Sequence, residues 1–462
     1  MAERLSLRTK LGFGVGDLGG NLFFTMMGFY LLFFLTDVIG LAAGLAGVAL
    51  WIGKAWDAVT DPAVGYLSDR TRSKMGRRRP FIFYGSFLLL ISMVVMFTNP
   101  GLSSSAAIFV WATLAFCLLN TAFTLVNIPY AALLPELTRD FDQRTVLTGY
   151  RMTFAVVGTF IGAGIVLPLA DAFTSVSLGW SVMGGVTGAV MLVTALLTVW
   201  AIREPTEHGD SESVDILRTV RRALKMKPFM LSVLPWVLHT SGVTVIQGAL
   251  LYYFRHIYGN EGMFQLALVV LLGSTMVCIP FWVMISKRIG KKLSYNIGMA
   301  IFAAVVILFF FLGHQLGVTF ALVVMGIAGT GFATHYVMPH AILPDVVEFS
   351  YAEYGERNEG VFYGLWTFAS KIGQSLAFLV NGLVLSLFGY ERLLQSAPST
   401  ATSGETIGLV AENLTAKLGI RLLTGPIPAL FFVAGIIVLS FYPINHDRYK
   451  KILEQIRSRE GS

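Results

Sequence analysis

Long apolar runs separated by short polar stretches occupy almost the whole chain. A helix needs about 20 consecutive, mainly apolar residues to cross a bilayer. On that criterion the pattern predicts twelve membrane-spanning helices, near residues 11–36, 44–68, 80–98, 105–134, 146–170, 179–202, 228–254, 262–286, 293–313, 316–344, 360–388 and 424–442. The predicted fold class is therefore an all-α membrane protein with twelve transmembrane helices.

A polar stretch over residues 203–227 divides these spans into two sets of six. The two sets echo each other, since NIPYAALLPEL at 127–137 recurs loosely as VMPHAILPDVV at 337–347. Such an internal repeat is typical of transporters built from two related bundles, although chance similarity between apolar segments is an alternative. The predicted domains are an N-terminal six-helix bundle over 1–202, a cytoplasmic linker over 203–227, a C-terminal six-helix bundle over 228–444 and a cytoplasmic tail over 445–462.

Composition agrees with a membrane protein, with 55% hydrophobic and only 13% charged residues and a mean hydropathy of +0.69. The net charge of +7 comes from short basic clusters between apolar segments. Positive-inside topology explains these clusters better than nucleic-acid binding does. We therefore expect a multi-pass protein of the cell's inner (plasma) membrane with both termini in the cytoplasm. Cys117 and Cys278 fall within predicted spans and indicate neither a disulfide framework nor a metal site.

Two carboxylates, Asp57 and Asp61, lie inside the second predicted span, in the segment WDAVTDP. An ionised carboxylate at the bilayer centre costs roughly 2.5–3.5 kcal/mol, so such residues mark ion or solute paths. The i, i+4 spacing places both on one helix face, where Thr60 and the backbone before Pro62 can supply more oxygens. This arrangement predicts a site for Na⁺ or H⁺, with Li⁺ also possible. A polar cluster that only joins helices is the alternative, but Lys54 can neutralise only one of the acids.

The histidines of the predicted spans do not indicate an intramembrane enzyme. His335 and His340 are five residues apart, with no nearby cysteine or paired acid, unlike HExxH or nucleophile–histidine sites. No catalytic residue and no cofactor is therefore expected. A receptor or scaffold without transport activity is the non-transporter alternative, and solute uptake under an imposed cation gradient would distinguish the two.

The loop after the second span, GYLSDRTRSKMGRRRP at 65–80, resembles a cytoplasmic loop of the major facilitator superfamily, G-x-x-x-D-R-x-(x)-G-R-R. The matching residues are Gly65, Asp69, Arg70, Gly76, Arg77 and Arg78. Together with WDAVTDP, TDVIGL at 36–41 and the YRMTF and ASKIG segments, this pattern resembles the glycoside–pentoside–hexuronide:cation symporters, the melibiose permease group. The resemblance covers essentially the whole chain. It implies the major facilitator fold, with two pseudo-symmetric six-helix bundles, and cation-coupled symport of a sugar, glycoside or sugar derivative by alternating access.

The resemblance also implies roles for individual residues. Asp57 and Asp61 would hold the cation, and Lys371 would act as their counter-charge. The further candidate cation ligands are Thr60, Asn127 and Thr367. The candidate solute-binding residues are Asp17, Asn21, Asn127, Tyr130, Arg151, Trp366 and Lys371. An interfacial anchor is the alternative for Arg151.

The chain departs from the pattern of the sugar-transporting members at three positions. Asn21 occupies a position where those members have an aspartate, and Asn127 and Ala131 replace an acid and an aromatic residue. With one carboxylate fewer, we expect weak Na⁺ selectivity or H⁺ coupling. The lysolipid symporters of the same family share the WDAVTDP and YRMT patterns, so a lysolipid or other amphiphile is the alternative solute.

The basic loop also predicts a cytoplasmic gate formed by Asp69, Arg70, Arg77 and Arg78. In the closed state these residues would meet an acidic stretch of the second half. The acids of that stretch are Asp345, Glu348, Glu353, Glu356 and Glu359. The alternative is a loop that only sets topology. The expected partners are a small solute, the coupling cation and the lipid bilayer, and the chain is expected to be a monomer that does not bind nucleic acid.

Overall fold

The computed structural model describes residues 5–138, 141–202, 204, 216–355, 359–390 and 414–460, and within these ranges the regular secondary structure is helical. The helices of the first half are α1 (Leu7–Phe29), α2 (Leu31–Phe33) with a π-helical turn (Phe34–Val38), α3 (Ala43–Arg70), α4 (Arg79–Met96), α5 (Ser105–Leu137), α6 (Phe141–Asp171) and α7 (Val176–Ala201). The helices that follow are α8 (Ile216–Lys225), α9 (Lys227–His256), α10 (Gly262–Ile289), α11 (Lys291–Tyr354), α12 (Glu359–Leu387), α13 (Leu414–Thr424), α14 (Pro426–Ser440) and α15 (His446–Glu460).

These helices account for the predicted number of spans in the described part of the chain. Nine helical segments are long and apolar enough to cross a membrane, and the bent pair Leu7–Phe29 and Leu31–Val38 makes a tenth. Helix α11 contains two spans, because Gly317, with φ +74° and ψ −169°, breaks it in the middle. Helix α3 is the twelfth, and its polar residues lower its hydropathy. The prediction of an all-α protein with twelve spans is confirmed.

The last span begins earlier than predicted, at Leu414 rather than near residue 424. Lys417 and Arg421 interrupt the apolar pattern over its first turns, which hid this part of the helix. The Arg421 guanidinium donates a hydrogen bond of 2.8 Å to the Phe310 carbonyl and lies 4.9 Å from the centre of the Phe310 ring. A cation with such partners can be accommodated close to the apolar region.

The chain forms two compact units. The first contains α1 to α7 together with the end of α12 from Phe378, and the second contains α8 to α11, the beginning of α12 to Ala377, and α13 to α15. In the first unit α1 packs against α6 and α7, α3 against α5, and α4 against α5 and α7. In the second unit α9 and α11 pack against α14, and α10 packs against α11. The predicted domain limits of 1–202 and 228–444 did not anticipate that the end of α12 joins the first unit.

Small residues allow the helices of the first unit to approach closely. A Cβ atom on Gly158 of α6 would lie 2.2 Å from the Leu18 carbonyl oxygen of α1, so a larger residue would separate these helices. A Cβ on Gly47 of α3 would likewise lie 2.8 Å from Cα of Gly382 in α12. Small residues at such contacts are typical of membrane helices, because tight packing takes the place of a hydrophobic driving force. The close contact of α1 and α6 also determines which side chains meet across it.

Candidate functional site

The two predicted cation-site carboxylates lie on the face of α3 that turns inward. Asp57 is 1% exposed, and its Oδ2 atom is 2.8 Å from Nζ of Lys54, one helical turn earlier. Asp61 is partly buried one turn later. A buried carboxylate is tolerated when it is paired, and removing one partner of such a pair costs about 3–5 kcal/mol. The lysine therefore stabilises Asp57 within the helix.

Thr124 of α5 joins the two carboxylates. Its Oγ1 atom lies 3.0 Å from Asp57 Oδ1 and 2.9 Å from Asp61 Oδ1. A hydroxyl group carries one proton and donates one hydrogen bond. The Thr124 hydroxyl therefore donates fully to only one of the two carboxylates at a time and holds both close to its own oxygen. Oxygen atoms of Asp57, Asp61 and Thr124 thus converge on one point between α3 and α5.

The sequence prediction missed Thr124, although α5 carried a signal. Asn120, Thr124 and Asn127 are spaced by four and three residues on an otherwise apolar helix, which places them near one face. Asn120 Nδ2 donates a hydrogen bond of 3.3 Å to the Gly53 carbonyl of α3, so this polar face meets the helix that carries the acids. The polar stripe on α5 therefore identifies the second wall of the site.

The other predicted cation ligands are placed differently. Thr60 Oγ1 donates a hydrogen bond of 3.2 Å to the Asp57 carbonyl oxygen. Asn127 lines a small pocket of the first unit beside Tyr130. Thr367 lies on α12 in the second unit and is exposed. Within the described residues no three His, Cys, Asp or Glu side chains are grouped to hold a metal ion, so ligation here would depend on hydroxyl and backbone oxygens as well.

A second charged pair joins α1 to α6 in the first unit. Arg151 Nε is 3.0 Å from Asp17 Oδ2, and its Nη2 atom donates a hydrogen bond of 3.3 Å to Oδ1. Asp17 is 5% exposed, and the guanidinium carbon of Arg151 lies 5.5 Å from the centre of the Tyr130 ring. Three of the predicted solute-binding residues are thus brought together, on three different helices. The cluster presents a carboxylate acceptor and guanidinium donors side by side.

The polar side chains beside this ion pair already make hydrogen bonds with the protein backbone. Tyr130 donates a hydrogen bond of 2.7 Å to the Phe13 carbonyl, and the two rings stack at 5.1 Å. Asn21 Nδ2 donates a hydrogen bond of 3.0 Å to the Asp17 carbonyl. The Tyr130 hydroxyl is therefore already hydrogen-bonded within the protein, and its ring lies near both Phe13 and Arg151. The roles of Asn21 and Tyr130 in solute binding stay predictions.

The predicted residues of α12 differ in exposure. Trp366 is 5% exposed and stacks on Trp236 of α9, with ring centres 5.5 Å apart. Thr367 is exposed and Lys371, one turn later on the same face, is partly exposed. Trp366 therefore belongs to the apolar core of the second unit, and Lys371 lies on a more open face. Both roles in solute binding stay predictions.

The sequence prediction did not anticipate a cluster of aromatic and imidazole rings around Trp236. His335 lies 4.8 Å and His340 lies 5.6 Å from Trp236, measured between ring centres. His239, which is fully buried, makes a hydrogen bond of 2.8 Å between its Nδ1 atom and the Tyr295 hydroxyl. His239, His335 and His340 thus pack among aromatic side chains of the second unit.

Of the predicted gate residues, Asp69 and Arg70 end α3, and Arg77 and Arg78 lie in the following loop, which Glu204 ties to the start of α4. The Glu204 carboxylate accepts hydrogen bonds of 2.5, 2.9 and 2.7 Å from the backbone N–H groups of Arg77, Arg78 and Arg79 at the start of α4. A carboxylate at a helix N-terminus satisfies the first free N–H groups and complements the helix dipole. Gly76, at φ +101°, permits this approach, because a Cβ there would lie 2.6 Å from Glu204 Oε2.

The arginines of this loop form ion pairs within the first unit. Arg77 and Arg78 both contact the Glu136 carboxylate of α5, with Arg78 Nε at 2.6 Å. Arg78 also lies 2.8 Å from Asp69, whose side chain is 55% exposed. Arg70 lies over an aromatic ring of the preceding helical turn. Glu136 and Glu204 are therefore partners of the loop that sequence reasoning missed.

The acidic stretch of the second half has partners within the second unit. Asp345 Oδ1 and Oδ2 each lie 2.7 Å from Lys291 Nζ. Burial and a hydrogen bond to Glu348 raise the pKa of Tyr449, on α15, above its ordinary value. Of the remaining acids, Glu353 and Glu359 are exposed, whereas Glu356 lies outside the described residues. The encounter of this stretch with the basic loop stays a prediction.

Comparison with known families decides the assignment. Residues 12–446 match the family described as "MFS/sugar transport protein". The chain belongs to this family. The prediction from the sequence that this chain is a symporter of the major facilitator superfamily is therefore confirmed. Membership of this family also accounts for the twelve spans and the two units.

Several relatives of this MFS/sugar transport chain have names that describe transport. It is 28% identical to the "Glucuronide carrier protein homolog" of Escherichia coli (strain K12), over 100% of this chain and 97% of that protein. It is 26% identical to "Sodium-dependent lysophosphatidylcholine symporter 1" of Gallus gallus, over 100% of this chain and 91% of that protein. A structure of a mutant of the nucleoside transporter NupG matches with a TM-score of 0.67, 12% identity and coverage of 94% and 100%, which shows the shared fold.

Proposed function

We propose that this protein is a cation-coupled symporter that carries a sugar, glycoside or sugar derivative by alternating access. The observation that carries the proposal is the contact of one threonine hydroxyl with two carboxylates, Asp57 and Asp61, inside a membrane helix. Carboxylate and hydroxyl oxygens that converge in this way are suitable ligands for a proton or a small cation. Because the chain belongs to a family of transporters, binding of this cation can be coupled to the movement of a solute across the membrane.

The coupling cation is Na⁺ or H⁺ in this proposal. Both would be held between Asp57 and Asp61, where Thr124 Oγ1 supplies the bridging oxygen and Lys54 already neutralises one charge. Li⁺ would fit the same hard oxygen donors. Thr60, Asn127 and Thr367 are proposed as further ligands when the site closes around the ion.

The solute is proposed to bind at Asp17 and Arg151. A carboxylate accepts hydrogen bonds from sugar hydroxyl groups, and a guanidinium donates to hydroxyl groups or to a sugar acid carboxylate in a bidentate manner. Because the two side chains satisfy each other when no solute is bound, the solute exchanges partners rather than exposing a charge. The name of the glucuronide carrier relative agrees with a solute that has both hydroxyl and carboxylate groups.

A lysolipid is the second candidate solute. One observation favours it: the sodium-dependent lysophosphatidylcholine symporter of Gallus gallus aligns with the full length of this chain. The phosphate group of a lysolipid would suit Arg151 as well as a carboxylate does, because both present paired oxygens to the guanidinium fork. A hydrophobic tail would require an apolar path, whereas a sugar would not.

Lys371 is proposed as the counter-charge that competes with the cation for the acids, and the basic loop as the gate on the cytoplasmic side. In this proposal Asp69, Arg70, Arg77 and Arg78 close that side while both termini remain in the cytoplasm. Asp69→Asn should increase labelling of a cysteine placed near Lys371 by a cytoplasmic thiol reagent. If labelling does not change while topology is normal, the loop is a topological anchor.

Uptake into proteoliposomes tests the proposal. A labelled glucuronide, a neutral glycoside and lysophosphatidylcholine are each offered under an inward Na⁺ gradient, an inward H⁺ gradient or no gradient. We expect accumulation of a sugar-derived solute under one cation gradient only. Accumulation of lysophosphatidylcholine alone would select the second candidate, and no accumulation of any solute, with correct reconstitution, would contradict both.

A binding experiment with detergent-solubilised protein sharpens this test. Coupling free energy is reciprocal, so a true symported solute must raise cation affinity by the same factor that the cation raises solute affinity. Equal factors in both directions would support symport. Solute binding that is independent of Na⁺ and pH would contradict it.

A further inference from the structure

Helix α8 is a short basic helix that neither the candidate site nor the family assignment explains. It runs over Ile216–Lys225, ten residues, and belongs to the second unit. It ends one residue before α9, where Met226 has the extended conformation, with φ −79° and ψ 110°. The chain therefore turns between the two helices, and α8 is not a continuation of the membrane span that follows it.

One face of α8 packs on the second unit. Thr219 and Ala223, one turn apart, are buried. The adjoining residue Arg222 has its guanidinium carbon 5.3 Å from the centre of the Tyr354 ring, at the C-terminal end of α11. A small cleft at this contact is also lined by Phe362, near the start of α12. Since α8 contacts the ends of two membrane helices and precedes the start of a third, it lies at the level of the membrane surface.

The opposite face of α8 is basic and exposed. Arg221 and Lys225 are one turn apart on this face, and Lys227 follows at the start of α9, all three exposed. Leu224 lies between them in sequence and is 52% exposed. An exposed leucine beside cations at the membrane surface is the pattern of helices that insert a shallow apolar group below lipid headgroups. Charge complementarity then selects the headgroup.

From these contacts we propose that the outer face of α8, formed by Arg221, Leu224, Lys225 and Lys227, binds anionic phospholipid headgroups of the bilayer that surrounds the protein. The cations contact the phosphate groups and Leu224 reaches the acyl boundary. Each lysine or arginine near an anionic surface contributes about a fivefold preference for anionic lipid. The bound lipid would hold α8 against the ends of α11 and α12.

A probe on Leu224 tests the proposal in the full-length protein. Cys117 and Cys278 are replaced by alanine, Leu224→Cys is labelled with an environment-sensitive fluorophore, and the protein is placed in nanodiscs of phosphatidylcholine with increasing phosphatidylglycerol. We expect a blue shift of the emission that grows with phosphatidylglycerol and is reversed by high salt. A label at exposed Val323, in the second half of α11, serves as a position control and should not respond.

Two matched variants complete the experiment. Arg221→Gln/Lys225→Gln removes two cations from α8, and Lys450→Gln/Lys451→Gln removes two exposed cations from α15 in the same unit. The first should raise the phosphatidylglycerol fraction needed for half of the shift by severalfold, and the second should not. An emission that is independent of lipid charge, or an equal effect of both variants, would overturn the proposal. Because the readout does not involve uptake, its result is independent of the proposed symport.

Discussion

The polar centre of the first unit and that of the second unit use different chemistry. In the first unit the described buried side chains include two ion pairs, Lys54–Asp57 and Asp17–Arg151, and a hydroxyl between two carboxylates. In the described part of the second unit the comparable region is built from indole, imidazole and phenol rings around Trp236. A side chain of an ion pair can exchange its partner for a polar or charged ligand, whereas stacked rings mainly contribute packing contacts.

The difference between ion pairs and ring clusters indicates which of the two units can provide binding energy for a ligand. A buried pair such as Asp17–Arg151 satisfies itself at rest and can exchange its partner for a solute with little change in buried charge. A ring cluster contributes shape and rigidity, with aromatic pairs worth about 0.5–1.5 kcal/mol each. We therefore expect the first unit to determine the affinity for the ion and the solute. We expect the second unit to contribute the counter-charge of Lys371, on a helix whose packing the ring cluster makes rigid.

The largest expected effect comes from removing charge at the cation site. Asp57→Asn should reduce gradient-driven accumulation to the level of protein-free liposomes, because it removes one of the two carboxylates between which the cation is proposed to be held. Lys54→Gln/Asp57→Asn should give the same result without an unpaired buried lysine. Asp171→Asn, an exposed carboxylate at the end of α6, is the control. Cation-driven accumulation in the double variant would exclude this site.

Arg151→Lys should produce the next largest effect, a loss of solute affinity of about 10- to 100-fold. Lysine keeps the charge but cannot form two parallel hydrogen bonds with a solute as a guanidinium can, and a hydrogen bond to a charged group is worth about 1.5–3 kcal/mol. Titration calorimetry measures this affinity. Arg8→Lys, which alters an arginine bound to the Trp200 carbonyl, provides a matched comparison. An unchanged solute affinity would place the solute elsewhere.

Thr124→Val should weaken cation binding by about tenfold, since it removes the hydroxyl oxygen that is proposed as a ligand, and a polar contact with a charged group is worth about 1.5–3 kcal/mol. Thr124→Ser should restore it. Thr113→Val on the same helix removes a hydroxyl that donates to the Phe109 carbonyl, and should have no such effect. The measurement is the Na⁺ or pH dependence of solute binding. Equal effects of the two valine variants would mean that the loss is structural.

Trp366→Phe should give the smallest effect, a decrease in melting temperature of a few degrees with solute and cation affinity changed by less than about threefold. Phenylalanine keeps an aromatic ring but loses part of the stacking area on Trp236, which is worth on the order of 1 kcal/mol. Thermal unfolding in detergent and calorimetry measure the two quantities. A large loss of solute affinity at unchanged stability would show that Trp366 contacts the solute.

The sequence predicted the spans and the buried acids because both depend on local pattern. Hydropathy locates helices without knowledge of their neighbours, and a carboxylate inside an apolar run is conspicuous, as at Asp57 and Asp61. It did not predict Thr124, since a threonine in an apolar helix ordinarily bonds the carbonyl of the preceding turn. Glu136 and Glu204 were missed because their partners are distant in sequence. The early start of the last span was hidden by two basic residues.

The carboxylate of Glu204 has a consequence for attempts to express the first unit separately. It lies two residues beyond the predicted end of the first bundle, yet it caps the N-terminus of α4 through three backbone N–H groups. A fragment cut after residue 202 would leave those groups to water and would remove the anchor of the basic loop. A fragment that ends a few residues later retains both. The practical boundary of the first unit is therefore set by this helix cap rather than by the last apolar residue.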